Sequence, residues 1–149
     1  MDEAFIKKVQ PNSPEAEQSV IGAMIMDRDA IADVIDIVNA DDFYQKQNGI
    51  LFEAMTELYR EGKPVDLVTL QNKLKKKDVP ESMKSLEFIR DLLEAVPTSA
   101  NAKQYAKIVS EKATLRKLIK VTEDITTECY LGKDDVTEIL DHTEKNVFG

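Results

Sequence analysis

Tryptophan is absent from this chain, histidine and cysteine occur once each, and glycine and proline only five times each in 149 residues. A single cysteine, Cys129, cannot close an internal disulfide. One cysteine and one histidine, His142, out of helical register with each other, cannot assemble a soft-ligand metal site. So few helix breakers, in a chain rich in Ala, Leu, Ile, Val, Glu and Lys, favour an all-α fold. No apolar run reaches the length of a membrane span, and Met1 to Pro11 lacks the apolar core of a secretory signal, so a reducing cytoplasm is the expected location.

Positive charge is also scarce: 20 Lys and Arg face 28 Asp and Glu, a net charge of −8. Nucleic-acid binding over the whole surface, which needs cations to displace counterions, is disfavoured. The local group Lys73, Lys75, Lys76 and Lys77 reads more simply as a basic last turn matched to a helix dipole. Tyr44, Tyr59, Tyr105 and Tyr130 are scattered over different segments and read as packing residues rather than a base-stacking platform.

What is present is helical periodicity. Residues 1–11 lack it and read as a flexible lead-in. Ser13-Pro14-Glu15 is a helix start: a capping hydroxyl, a proline at the first helical position and acids (Glu15, Glu17) at the positive end of the dipole. Ala16, Val20, Ala23 and Met24, flanked by Ile21 and Ile25, give that helix a wide apolar stripe and a central place. Ile31, Val34, Ile35 and Val38 predict a second helix ending near Asn39, and Ile50 to Tyr59 a third stopped by Gly62. Asp66 caps a fourth carrying Leu67, Leu70 and Leu74. Leu86, Ile89, Leu92, Leu93 and Val96 form a fifth, closed by Pro97. Residues 12–100 therefore read as a globular helical head.

The last third differs. From Asn101, which has capping-box spacing to Gln104, no Gly or Pro occurs until Gly132, about thirty residues or roughly 45 Å of helix. Asp135 with Glu138 offers a second capping box, followed by a stripe of Val136, Ile139, Leu140, Thr143 and Val147. Residues 101–149 thus form a helical hairpin. Two arrangements satisfy its apolar positions: the same hairpin of a second copy, packed about a two-fold axis, or folding back onto the head. The first makes Leu115, Leu118, Ile119, Val121, Ile125, Val136, Ile139, Leu140 and Val147 the self-association residues.

Catalytic frames are missing from the sequence: no Gly-rich phosphate loop, no Walker-type lysine motif, no nucleophile elbow. His142 reads as solvated, Cys129 as a small buried hydrophobe. The pairs Asp41-Asp42 and Asp134-Asp135 lack the alternating ligand spacing of a calcium loop and read as helix caps. Neither catalytic, cofactor-binding nor metal-ligating residues are therefore assigned.

Five blocks carry a resemblance to a known family. Pro11-Asn12-Ser13-Pro14-Glu15-Ala16-Glu17-Gln18-Ser19-Val20-Ile21-Gly22 resembles the opening of DnaB-type replicative DNA helicases. So do Asp42-Phe43-Tyr44, Ile50 through Met55, Pro64 through Leu70, and Asn101 through Tyr105-Ala106-Lys107-Ile108-Val109 to Ile119, in the family's order. One departure is visible: where the family commonly has a histidine shortly before the Ile-Phe pair, this chain has Gln47-Asn48-Gly49. The resemblance implies the non-catalytic N-terminal domain, a globular head with a helical hairpin that pairs into dimers and stacks three dimers into a collar. The ATP- and magnesium-dependent motor would lie in a separate C-terminal domain. Implied partners are the chain itself, the C-terminal helical domain of primase, docking around Leu131, Lys133, Asp134 and Asp135, and single-stranded DNA only weakly or through the ring. Two other readings stay open: a stand-alone helical adaptor of the primosome with no motor, and an enzyme whose acidic pairs bind magnesium.

Overall fold

The structure, a computed structural model, describes residues 9–94 and 101–149. Seven α-helices and two short 3-10 turns are found among them, and no strand: α1 Pro14–Met26, α2 Arg28–Ile35, α3 Lys46–Arg60, α4 Leu67–Lys75, α5 Leu86–Glu94, α6 Ala102–Leu131 and α7 Val136–Phe148. The expected lead-in up to Lys8, and Val96 and Pro97 at the close of the fifth helix, lie outside the described residues. The chain divides into two compact units, Asn12–Ala113 and Thr114–Gly149, the latter with the residues that precede Asn12.

Local chemistry explains most boundaries in the first unit. The Ser13 hydroxyl accepts the amide of Ala16 at 3.2 Å, and Pro14 opens α1. At Asp27 the backbone turns extended, which ends α1, and the Asp27 carboxylate caps α2 by accepting the Asp29 amide at 2.9 Å. Reciprocal bonds between Asp66 and Thr69, both 2.9 Å, open α4. After α3, Gly62 takes φ +72°, a left-handed conformation that suits glycine. Arg28 closes that end from a distance, donating to the Lys63 carbonyl at 2.6 Å and stacking on the Tyr59 ring at 4.8 Å.

Helix α1 is buried along most of its length, with Val20, Ile21 and Met24 fully covered. Around it pack Ile31 and Val34 of α2, Leu51 and Met55 of α3, Leu70 and Leu74 of α4, and Ile89 of α5. Ala102, Ala106 and Val109, one turn apart on the first part of α6, join the same core. Met83, from the 3-10 turn Glu81–Lys84 inside the polar stretch after α4, is buried as well.

Two starts and stops differ from the sequence expectation. Helix α2 ends at Ile35, where the amides of Ile37 and Val38 both close on the Val34 carbonyl, and Asn39 begins a separate 3-10 turn, Ala40–Asp42: its side chain accepts from Asp41 while its amide donates to Asp42. Helix α3 begins at Lys46, one turn before Ile50, although its N-cap residue Gln45 provides no side-chain cap.

The missing cap comes from α1. Glu17 is buried, and its carboxylate accepts the amides of Tyr44 (2.8 Å) and Gln45 (3.2 Å) and the side-chain amide of Asn48 (3.0 Å). A charge without water needs such partners, and the positive end of a helix suits an anion. Next to it Gly49 is packed so closely that a Cβ there would lie 2.8 Å from the Ala40 carbonyl oxygen. The Gln47-Asn48-Gly49 departure is thus matched by its own contacts.

Candidate self-association surface

In the unit Thr114–Gly149 no described large apolar side chain is buried. Helix α6 runs to Leu131, where Gly132 takes φ +60° and stops it. Helix α7 follows from Val136. His142 Nδ1 lies 3.9 Å from Glu128 Oε1, so the two helices run side by side at that level. The half-buried positions are Arg116, Ile119, Val121, Ile125 and Glu128 on α6 and Ile139 and Thr143 on α7.

The rest of the expected association residues face outward. Leu115 and Leu118 are nearly half exposed, Val136 and Leu140 about two-thirds exposed and Val147 more than a third. Phe148 (84% exposed), which the sequence reading does not include, and Tyr130 (89%), expected to pack, add to the exposed apolar residues of this unit. Periodicity alone merges α7 into one stripe, whereas Ile139 and Thr143 are partly covered and Val136, Leu140 and Val147 are not. The segment expected to meet primase, Leu131, Lys133, Asp134 and Asp135, is exposed throughout around the Gly132 turn.

Two residue expectations fail here. Cys129 is exposed, not buried, because it sits on an outward sector of α6 with no described side chain packed over it. Asp135 occupies the N-cap of α7, but its side chain makes no capping bond. Asp135 is exposed, and the capping box expected with Glu138 is not formed. Of the acidic pairs, Asp42 does cap, accepting the Asn39 amide at 3.0 Å. Tyr44 and Tyr130 are exposed, while Tyr59 and Tyr105 pack against the core.

The head carries a different kind of surface. Lys73 and Lys77 of the lysine cluster are tied to α3: Lys73 Nζ lies 2.7 Å from Glu61 and 3.3 Å from Glu57, and Lys77 lies 3.0 Å from Glu57. Hydrogen bonds from Lys63 and Lys73 hold the Glu61 carboxyl down at about 2. Burial pushes Glu57 up, but its bonds to Lys77 and Lys73 outweigh that and leave it low. The hydrogen bond to Glu61, and after it that to Glu57, raises Lys73. A groove of about 440 Å³ lies nearby, lined by Ile35, Val38, Phe52, Asp41, Glu53 and Arg60 among others. Among the described residues no cluster of three or more His, Cys, Asp or Glu is placed to hold a metal ion, and no helix is long and apolar enough to cross a membrane.

The head has a closed apolar core, whereas the hairpin leaves apolar side chains exposed. Comparison with known proteins gives the family. Residues 9–111 match the model of the DnaB-like helicase N terminal domain, and the chain belongs to that family. It is 35% identical over 147 residues to the replicative DNA helicase DnaB of Geobacillus stearothermophilus and 38% identical over 141 residues to that of Pasteurella multocida. The alignments cover 99% and 94% of this chain, but the chain spans only about a third of the length of these relatives, 32% and 30%. The crystal structure of the N-terminal domain of DnaB helicase from Mycobacterium tuberculosis superposes with a TM-score of 0.88 at 35% identity, covering 93% of this chain and 98% of that one. The N-terminal domain of Helicobacter pylori DnaB, described together with its interactions with primase, shares the fold, with a TM-score of 0.68 at 23% identity over 87% of this chain and 99% of that one.

Proposed function

We propose that this chain is the collar domain of a replicative DNA helicase, whose work is assembly and docking rather than hydrolysis. In this reading the hairpin rows pair two copies, three such pairs close a ring, and the exposed Gly132 turn, Leu131 with Lys133, Asp134 and Asp135, receives the helical C-terminal domain of primase. ATP and magnesium belong to a motor domain outside these residues, and single-stranded DNA is met through the assembled ring.

The observation that carries the reading is the uncovered apolar surface of Leu115, Leu118, Val136, Leu140 and Val147 beside a head whose core is closed. Water-exposed rows of this kind are stabilised by a partner, and a second copy offers the same rows at no cost in new sequence. Family membership and a structural relative that engages primase add weight to the docking part. Sedimentation of Ile119→Asp and Leu140→Asp tests it: each charge should disperse the dimer while the head's helical signal persists. Unchanged mass in both variants would refute self-association through the hairpin.

A further inference from the structure

The start of the described chain is held by the long helix of the hairpin. Arg116 Nη1 donates to the Pro11 carbonyl at 2.7 Å, across 105 residues of sequence, and the contact is partly buried. Arg116 is itself half-buried, while Leu115, Lys117 and Leu118 beside it are exposed. On the other side of the bond, Val9 and Gln10 are exposed and Pro11, Asn12 and Ser13 are half-buried, so cover begins at the residue that Arg116 holds. Pro11 and Arg116 belong to one compact unit, whereas the residues from Asn12 to Ala113 form the other. The lead-in thus ends on α6.

The residue types at this contact suit a clamp. Proline has no amide proton, so the Pro11 backbone offers only an acceptor, and a guanidinium satisfies it with a charge-assisted bond. The Pro11 ring fixes its own φ and biases Gln10 toward an extended backbone; Pro14 does the same for Ser13, which is extended at φ −136° and ψ 95°. From Pro11 to Pro14 the chain is therefore short and stiff, about 10 Å at full extension. We infer that residues 9–11 are a strap clamped to α6 by Arg116, so that the strap and the turn of α6 around Arg116 order each other. A pull on the start of the chain is then met at Arg116 before it reaches the cap of α1. The strap acts within one copy and needs no second one.

Nuclear magnetic resonance on the whole 149-residue chain tests this, with Leu140→Asp as the common background so that pairing of copies does not enter. Three changes are compared: Arg116→Met, which keeps the stem and removes the donors; deletion of residues 2–11, which leaves the Ser13 and Pro14 start of α1 in place; and both together. Backbone order parameters of Gln10 and Asn12 should stand near the rigid level, about 0.8, in the background chain and fall below about 0.6 with Arg116→Met. Amide exchange across residues 116–120 should quicken by about tenfold with either single change and no further with both, because the two remove one and the same contact. Gln10 and Asn12 that are already loose in the background chain, or that stay ordered without the guanidinium, would overturn the inference. So would exchange that is unmoved by the single changes, or that quickens additively in the double one. If the shortened chain fails to fold, the order parameters with Arg116→Met decide alone.

Discussion

The two units of this chain handle the same apolar residue types in opposite ways. Between Asn12 and Ala113 the Leu, Ile, Val and Met side chains mostly converge on α1, and even an acid, Glu17, is drawn inside and fully engaged. From Thr114 onward comparable residues on α6 and α7 stay at least partly exposed. A short amphipathic helix is stable chiefly through what covers it, and the head covers its own apolar faces while the hairpin leaves much of its apolar surface open.

That contrast is most easily broken from the head side. Glu17→Ala strips two amides and the Asn48 side chain of their acceptor in a dry site, and should cost about 3–5 kcal/mol in urea unfolding, enough to threaten a small domain. A loss under about 1 kcal/mol would mean that the carboxylate is not the cap of α3. Gly49→Ala comes next. Its new methyl must displace the Ala40 carbonyl, so a loss of about 1–3 kcal/mol is expected, and a neutral result would show that the 3-10 turn yields freely.

A smaller effect concerns pH. The folded Glu61 carboxyl lies at about 2, below its ordinary 4.5. The stability it lends is therefore present above about pH 4.5 and is lost as pH falls toward 2. Lys73→Met should flatten part of the decline of the urea midpoint over that window relative to the parent protein; curves of equal slope would show the network to be inert. Smallest of all on the head's stability is Leu140→Asp. Its unfolding midpoint at low concentration should match the parent within about 0.5 kcal/mol, as for a surface change, even as the pair disperses. A large loss would place Leu140 in the protomer's own core and erase the distinction between the units.

Features set by neighbours in sequence were legible before the structure. Ser13-Pro14, the Asp66 cap and the stops at Gly62 and Gly132 all follow from residues within one turn of each other. What depends on distant partners was not. Glu17 reads as an ordinary first-turn acid until α3 is placed 27 to 31 residues further on. Asn39 reads as the end of the second helix, yet that helix stops at Ile35 and Asn39 instead caps the 3-10 turn Ala40–Asp42. Cys129 was misplaced for the related reason that an apolar stripe does not say whether it is covered from within the chain.

The most direct test of this division of labour is amide hydrogen exchange of the whole 149-residue chain at low and high protein concentration. Protection that rises with concentration across residues 115–148 and stays constant across 12–113 is the predicted result. Concentration-dependent protection in the head with none in the hairpin would contradict it.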